Sequence, residues 1–308
     1  MRGRFSFLLD RTAVLFLGVG LGAAMGLSFG DGNAMAGSSV MASSASSGAA
    51  QTGTKPNGPN KNAQCATQYR LPKSIAAKLA AGQTVHIGVF GDSYVDGIWA
   101  GLYNTMRSEK NIVVHRFGKQ STGFTRYGSL NLADDTRRKL AEQSVDIAVV
   151  SFGANDTQGL WLNGSDAPYM SAKWQDVIGE RANEMLDLLA KDGAQIVWVG
   201  LPPIRKPAFD AQIVQMNDFY ANLICERGDI WLDGYARGGM DGKFAPYLRD
   251  PKTGEEKKAR AEDGIHMTMP AYNLLIADMN AALKKAVGSA PVKPKPAKSN
   301  ANATDERS

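Results

Sequence analysis

The chain has 308 residues, of which 44% are hydrophobic, and this is enough material for one large domain with a buried core. Its 35 Lys and Arg and 30 Asp and Glu residues give a net charge of +5, without a dense basic helix. This pattern argues against nucleic-acid binding and leaves weak attraction to an acidic wall polymer as a role for the charge.

The first residues have the composition of a targeting segment. Three arginines lie at or before residue 11, residues 12–29 carry no charge, and small residues at 34–36 are typical of a cleavage site. We therefore expect residues 1–36 to be a secretory signal peptide. The alternative is an uncleaved membrane anchor, because the apolar stretch is just long enough to span a bilayer.

A linker and a tail flank the expected domain. Residues 37–62 consist mostly of Ser, Ala, Gly, Asn and Pro, and residues 290–308 are rich in Pro, Lys and Asn. Such segments have too little apolar surface to fold, so we expect both to be disordered. This leaves residues 63–289 as the folded domain.

The chain has two cysteines, Cys65 and Cys225, without the paired spacing of a zinc site. In an exported protein they could form a disulfide. Alternatively, Cys225 is a small buried hydrophobe and Cys65 merely lies beside the linker.

Five short apolar or β-branched segments predict strands, and helical patterns separate them. The expected strands are Thr84 to Phe90, Asn111 to Phe117, Val145 to Phe152, Gln195 to Gly200 and Asp229 to Leu232. The expected helices are Gly97 to Ser108, Leu132 to Gln143, Ser171 to Lys191, Asp210 to Glu226 and Pro270 to Val287. This alternation predicts an α/β fold, a three-layer α/β/α sandwich around a five-stranded parallel sheet. The segment from Tyr235 to Glu262 predicts an irregular excursion or a short hairpin.

Four short sequence blocks follow consecutive predicted elements. Gly91-Asp92-Ser93 comes after the first strand, Gly118 after the second, and Gly153-Ala154-Asn155-Asp156 after the third, while Asp263-Gly264-Ile265-His266 precedes the last helix. Ligands bind at the carboxyl ends of parallel strands, so we expect these blocks to meet in one crevice.

The four blocks, in this order, resemble those of the SGNH hydrolases, the GDSL-like esterase superfamily. Its name gives the catalytic Ser, Gly, Asn and His in chain order. The similarity extends over roughly residues 84 to 285 and is greatest to a periplasmic proteobacterial branch of uncertain substrate. It implies a flavodoxin-like fold and a periplasmic location, or an inner-membrane anchor with the domain facing the periplasm.

The resemblance also implies a role for each block. Ser93 would be the nucleophile, His266 its general base, and Asp263 the carboxylate that orients the histidine. The backbone N–H groups of Ser93 and Gly118, with the Asn155 side chain, would form the oxyanion hole.

The residues themselves support most of these roles. A serine hydroxyl needs a base within hydrogen-bond reach, and His266 is the one histidine of three in a predicted loop; His86 and His115 lie in predicted strands and are expected to be structural. Asp263 could equally cap a turn. Asp92 is expected to hold the turn or cap the next helix.

Some positions leave alternatives open. Gly123 lies close enough to Gly118 to compete for the oxyanion role, and Gly118 is favoured because it directly follows the strand. Asp156 is expected to order the loop that carries Asn155. Tyr94, Trp99 and Trp161 lie near the blocks and could line the acyl or alcohol subsite, but ordinary core or surface packing is the simpler explanation for each.

These observations predict a serine esterase that cleaves an O-acyl ester, foremost an O-acetyl ester, on a small molecule or a cell-envelope glycan, with cell-wall association as a further expectation. The alternatives are an O-acetyltransferase that passes the acyl group to a sugar hydroxyl, and a non-enzymatic envelope module. No metal-ligand cluster, phosphate loop or cofactor motif occurs in the sequence, so we expect neither metal nor cofactor. Membrane contact is expected only if residues 1–36 are retained.

Overall fold

The computed structural model describes residues 66–162, 164–251 and 253–288. The expected signal peptide or anchor (1–36), linker (37–62) and tail (290–308) lie outside these residues and stay predictions. Among the described residues, no helix is both long and apolar enough to cross a membrane.

The expected fold class is confirmed by a five-stranded parallel sheet with helices on both faces. Its strands are β1 (Val85–Gly91), β2 (Ile112–Arg116), β3 (Ile147–Ser151), β6 (Gln195–Val199) and β7 (Ile230–Leu232). Two hairpins add β4 (Leu160–Leu162) with β5 (Ser165–Ala167), and β8 (Tyr247–Arg249) with β9 (Glu256–Lys258). The sheet order is β2-β1-β3-β6-β7, which is the flavodoxin-like arrangement.

The helices connect these strands and cover both faces of the sheet. They are α1 (Lys73–Ala80), α2 (Tyr94–Met106), α3 (Leu132–Glu142), α4 (Ala172–Lys191), α5 (Pro207–Arg227), α6 (Gly234–Arg237), α7 (Met269–Leu275) and α8 (Ala277–Gly288). A 3₁₀ turn at Phe124–Arg126 lies between β2 and α3.

Apolar residues pack in two core layers, one on each face of the sheet. Along β1, Val85, Ile87 and Val89 contribute to the layer under α2, α7 and α8, while Phe90 contributes to the layer under α3 and α4. A strand buried on both faces needs a nearly continuous apolar sequence, which explains why the central strands could be recognised.

Local signals set the ends of several helices. Asn131 caps α3 by accepting a hydrogen bond from Asp134 N–H, and Ser171 caps α4 in the same way from Trp174 N–H. At the far end of α5, Gly228 adopts the left-handed conformation that ends helices.

The closing helix was expected to be continuous, and this was wrong: it breaks at Ile276 into α7 and α8. The Arg237 guanidinium donates to the Leu275 carbonyl at the end of α7 and also pairs with Asp278 in the first turn of α8. This contact supplies the donor that the interrupted helix lacks. Since Arg237 lies about forty residues earlier, the local sequence gives no sign of it.

The helices α1 and α6 and the β4–β5 hairpin were not predicted from the sequence. The segment from 235 to 262, expected to be an irregular excursion or a short hairpin, contains the β8–β9 hairpin. Cys225 is disulfide-bonded. Cys65, the cysteine with which it was expected to pair, lies outside the described residues.

Candidate active site

The sequence blocks meet at the point where the strand order reverses. Ser93 follows β1 and Asn155 follows β3, and these two strands are neighbours in the sheet. From this switch point, connections leave in opposite directions and open a crevice at the carboxyl edge. The segment that precedes α7 brings His266 to the same edge.

Ser93, His266 and Asp263 form one continuous hydrogen-bonded chain. The Ser93 Oγ atom lies 2.8 Å from His266 Nε2, and His266 Nδ1 lies 2.6 Å from Asp263 Oδ2. In this arrangement His266 can accept the serine proton at Nε2 while Nδ1–H donates to the carboxylate. The side chains of His266 and Asp263 are 37% and 41% exposed, so the site is open to solvent.

A tight turn holds Asp263 in place beneath the histidine. The Oδ1 atom of Asp263 accepts hydrogen bonds from the backbone N–H groups of Ile265 at 2.8 Å and His266 at 2.9 Å. Gly264, which follows Asp263, has a φ of 69°. Partial burial alone would raise the pKa of Asp263, but the hydrogen bonds from His266 and from Ile265 outweigh it and lower the pKa. Asp263 therefore remains ionised at neutral pH.

Tyr94 contacts this turn and holds it in position, a role that the sequence did not predict. Its ring is buried and stacks on His266 with a centroid separation of 5.5 Å, and its hydroxyl donates to the Ile265 carbonyl. Burial raises the pKa of Tyr94, so the hydroxyl keeps its proton and can donate. The only sequence signal was its place directly after the nucleophile, on the buried face of α2.

Two arginines brace the segment that leads to the turn. Arg205 donates from its backbone N–H to the Gly264 carbonyl at 3.0 Å and from its guanidinium to the Glu262 carbonyl at 2.9 Å. Arg260 is only 1% exposed, and its Nη2 donates to the carbonyls of Pro203 and Gly238 at 2.8 and 2.6 Å. These contacts tie the turn to the loops after β6 and α6, so distant loops fix its position.

The glycine before Asp92 and the glycine after β2 allow backbones to approach closely. A Cβ on Gly91 would lie 2.1 Å from the Ser151 carbonyl oxygen, and one on Gly118 would lie 2.2 Å from the Val95 side chain. Gly118 lies beside the Asp92 carbonyl, next to the nucleophile. Within the described residues, the N–H groups of Ser93 and Gly118 have no protein acceptor and are available to a bound oxyanion.

Gly123, the alternative to Gly118 for the oxyanion role, lies against a different residue. A Cβ on Gly123 would lie 2.4 Å from the Asp156 carboxylate, so this position is small because the buried acid lies against it. Asp156 in turn accepts from Thr125 N–H at 2.7 Å and from the Thr125 hydroxyl at 2.8 Å. Asp156 thus anchors the loop after Asn155 to the 3₁₀ turn, which is the ordering role expected of it.

Asn155 is held beside the nucleophile by the buried Asp92. Its Nδ2 donates to Asp92 Oδ2 at 3.2 Å and to the Thr122 carbonyl at 3.0 Å, so both amide hydrogens have acceptors in the free protein. The Oδ1 atom of Asp92 accepts from Tyr94 N–H at 3.0 Å, at the start of α2. Asp92 therefore connects the nucleophile turn to the asparagine.

Full burial raises the pKa of Asp92 to about 7, and the nearby Asp156 adds to the rise, although hydrogen bonds from Tyr94 and Asn155 oppose it. Burial also raises the pKa of Asp156. Such a pair of buried acids is costly to ionise, and perturbed acids of this kind cluster at functional sites.

The two remaining histidines lie on neighbouring strands, away from the triad. His86 Nδ1 lies 2.9 Å from His115 Nε2, and their rings stack. Within the described part of the chain, no group of three or more His, Cys, Asp or Glu side chains is arranged to hold a metal ion.

A family model described as "Protein of unknown function (DUF459)" matches residues 86–282. The chain belongs to this family. The match extends from β1 into α8 and therefore includes every block of the site. The search of curated proteins found no match.

Several solved structures resemble this chain in shape. One is a GDSL-like lipase from Bacteroides thetaiotaomicron, with 14% identity, coverage of 70% of this chain and 96% of that chain, and a TM-score of 0.45. Another is a catalytic mutant of an acetylxylan esterase from Geobacillus stearothermophilus, with 14% identity, coverage of 67% and 95%, and a TM-score of 0.45. A carbohydrate esterase family 3 structure from Talaromyces cellulolyticus has 12% identity, coverage of 68% and 100%, and a TM-score of 0.44.

The raised pKa of Asp92 predicts a distinct pH dependence of stability. The folded protein keeps a proton on Asp92 up to about pH 7, whereas the unfolded chain releases it near the ordinary Asp value of about 4. Raising the pH from 4 to 8 therefore removes stability from the wild type, while Asp92→Asn lacks this loss. The Tm of Asp92→Asn relative to wild type should rise over this range by roughly 10 °C, because the difference between pKa values of about 4 and about 7 corresponds to about 4 kcal/mol, and each kcal/mol corresponds to about 2–4 °C.

Thermal unfolding at several pH values measures this difference, and Asp176→Asn, which alters an exposed acid on α4, is the matched control. The control should follow the wild type. A difference between Asp92→Asn and wild type that is the same at pH 4 and pH 8 would contradict the raised pKa.

Proposed function

We propose that this protein is a serine ester hydrolase that acts through an acyl-enzyme. The observation that carries the proposal is the unbroken hydrogen-bonded chain from Ser93 Oγ through His266 to Asp263. The backbone N–H groups of Ser93 and Gly118, which have no acceptor among the described residues, support it, since acyl transfer needs donors for the developing oxyanion. The non-enzymatic alternative leaves this combination without a purpose.

The first half of the reaction forms the acyl-enzyme. His266 Nε2 removes the proton from Ser93 Oγ as the oxygen attacks the ester carbon, and the carbonyl oxygen becomes an oxyanion. The N–H groups of Ser93 and Gly118 stabilise this charge. The C–O bond to the alcohol then breaks, and His266 gives its proton to the departing oxygen.

The second half regenerates the serine. His266 takes a proton from water, the resulting hydroxide attacks the acyl carbon, and collapse of the intermediate returns the proton to Ser93 as the carboxylic acid leaves. Throughout, Asp263 keeps the ring oriented and stabilises its positive charge. A sugar hydroxyl in place of water would make the same site an acyltransferase.

In this mechanism the Asn155 side-chain amide donates a hydrogen bond to the oxyanion after one of its hydrogens leaves its present acceptor. In the free protein its amide donates to Asp92 and to the Thr122 carbonyl, and we infer that one of these bonds gives way to the substrate oxygen. Asp92 is a positioning residue in this scheme, because it holds the amide without contacting the substrate.

The proposed substrate is a short O-acyl ester, foremost O-acetyl, on a cell-envelope glycan. The open site supports a substrate larger than the reacting group, since His266 and Asp263 are more than one-third exposed. The expected export of the chain supports an envelope location, and with it a periplasmic site of action.

We predict that the protein releases acetate from O-acetylated glycans and that Ser93→Ala loses nearly all of this activity while it keeps its fold. The measurement is acetate release, with acetyl transfer to sugar hydroxyls followed in parallel and circular dichroism as the folding control. Full activity in Ser93→Ala would refute the proposed nucleophile. Transfer without release would assign the acyltransferase reaction instead.

The roles within the triad predict a ranking of kcat values. His266→Ala should abolish turnover, and Asp263→Asn should lower kcat about 10⁴-fold, because the wrong tautomer is favoured, as in serine proteases. Asn155→Ala should cost about 10²–10³-fold, since it removes one oxyanion donor among three. The pKa of Asp263 is lowered, so its carboxylate stays ionised and continues to support the imidazole at neutral pH.

Asp92→Asn is the matched comparison for Asp263→Asn, since each removes one carboxylate close to the serine. It should cost no more than Asn155→Ala, because it acts through that amide. Near-normal turnover in Asp263→Asn, with a larger loss in Asp92→Asn, would show that the orienting carboxylate has been assigned wrongly.

A further inference from the structure

Trp161 is the most exposed large apolar side chain in the described part of the chain, at 74%. Three other tryptophans, Trp174, Trp198 and Trp231, are buried, and Trp99 is partly buried and donates a hydrogen bond. Within the described residues, Trp161 makes no ring contact and no side-chain hydrogen bond. Burying a large aromatic side chain contributes more to stability than burying a small one, so the exposure of Trp161 to solvent suggests a role in binding.

The position of Trp161 relates it to the candidate active site. It lies on β4, in the hairpin that follows Asn155 after a short connection at the carboxyl edge of the sheet. Six peptide units separate the Cα atoms of Trp161 and Asn155, so the two lie at most about 20 Å apart. An extended ligand bound at Ser93 could therefore reach the indole.

The base of this hairpin is firmly held. Gln158 accepts the Trp174 Nε1–H at its carbonyl and donates its side-chain amide to Thr125. Leu160 and Ala167, which pair across the two strands, are buried. Trp161 is thus presented from an anchored hairpin with its ring on the outward face.

An exposed carboxylate shares this face. Asp166 lies directly opposite Trp161 in the antiparallel register, and directly opposite side chains project to the same side of a hairpin. Asp166 is exposed and forms no ion pair within the described residues. The flat ring and the adjacent acceptor match the two surfaces of a sugar, whose C–H face packs on an aromatic ring and whose hydroxyls donate to a carboxylate.

We propose that Trp161 and Asp166 bind a sugar ring of an acylated polysaccharide several units away from the ester held at Ser93. This inference rests on the proposed function and makes the substrate an oligomer. A single ring flanked by a carboxylate is too small for a stable protein interface, and its charge disfavours an anionic lipid surface. Trp161 and Asp166 are then specificity-determining residues.

The test compares an O-acetylated N-acetylglucosamine hexamer with the O-acetylated monomer on the full chain. Trp161→Ala should lower kcat/KM for the hexamer about tenfold more than for the monomer, mainly through KM, in line with the loss of about 1.4 kcal/mol of stacking. Trp161→Phe should restore most of this preference, and Asp166→Asn should reduce it to a smaller extent. Tyr103→Ala, which changes an exposed aromatic further along α2, is the control and should leave the preference unchanged.

Calorimetric binding of the unacetylated hexamer distinguishes failure of this inference from failure of the proposed function. Binding by wild type and its loss in Trp161→Ala would support the sugar site even if no ester were cleaved. An equal loss on hexamer and monomer, an unchanged hexamer preference, or no hexamer binding by wild type would overturn it. Ester cleavage with an unchanged hexamer preference in Trp161→Ala would support the proposed hydrolase and refute the sugar site.

Discussion

The hydrogen bond between Ser93 Oγ and His266 Nε2 joins residues 173 positions apart, and the candidate site depends on it. It persists only if the start of α2 and the segment before α7 stay packed together. Gly97 makes this packing possible, because a Cβ there would lie 2.1 Å from the Tyr272 ring. Tyr272 in turn contacts Tyr94, which stacks on His266, so close helix packing and triad geometry form one arrangement.

Behind the serine, two buried acids connect the remaining blocks. Asp92 connects the nucleophile turn to Asn155, and Asp156 connects the asparagine loop to Thr125. Burying carboxylates carries a cost in stability, which hydrogen bonds offset only in part. The cost is consistent with a functional site, because an oxyanion donor needs a fixed direction, and short polar side chains with several partners provide it.

Sequence patterns predicted which residues meet at the carboxyl edge of the sheet, but they did not predict the residues that hold these in place. Local motifs at strand ends, such as Gly91-Asp92-Ser93, carry enough information to place their residues once a parallel sheet is expected. Tyr94 and Arg260 act through contacts with backbone carbonyls far along the chain, and no local pattern specifies such contacts. The break at Ile276 was missed for the same reason, since Arg237, which caps it, is remote in sequence. The hairpin that carries Trp161 has strands of only three residues, too short for a period to be recognised.

Covalent labelling with a serine-directed phosphonate ester, followed by peptide mass spectrometry, tests the central claim most directly. A nucleophile activated by His266 predicts one adduct per chain, on Ser93, and loss of the adduct in His266→Ala. The Asn155→Ala variant should still be labelled, but more slowly, because one oxyanion donor is missing. An adduct on another residue, or labelling of Ser93 that does not depend on His266, would contradict the account.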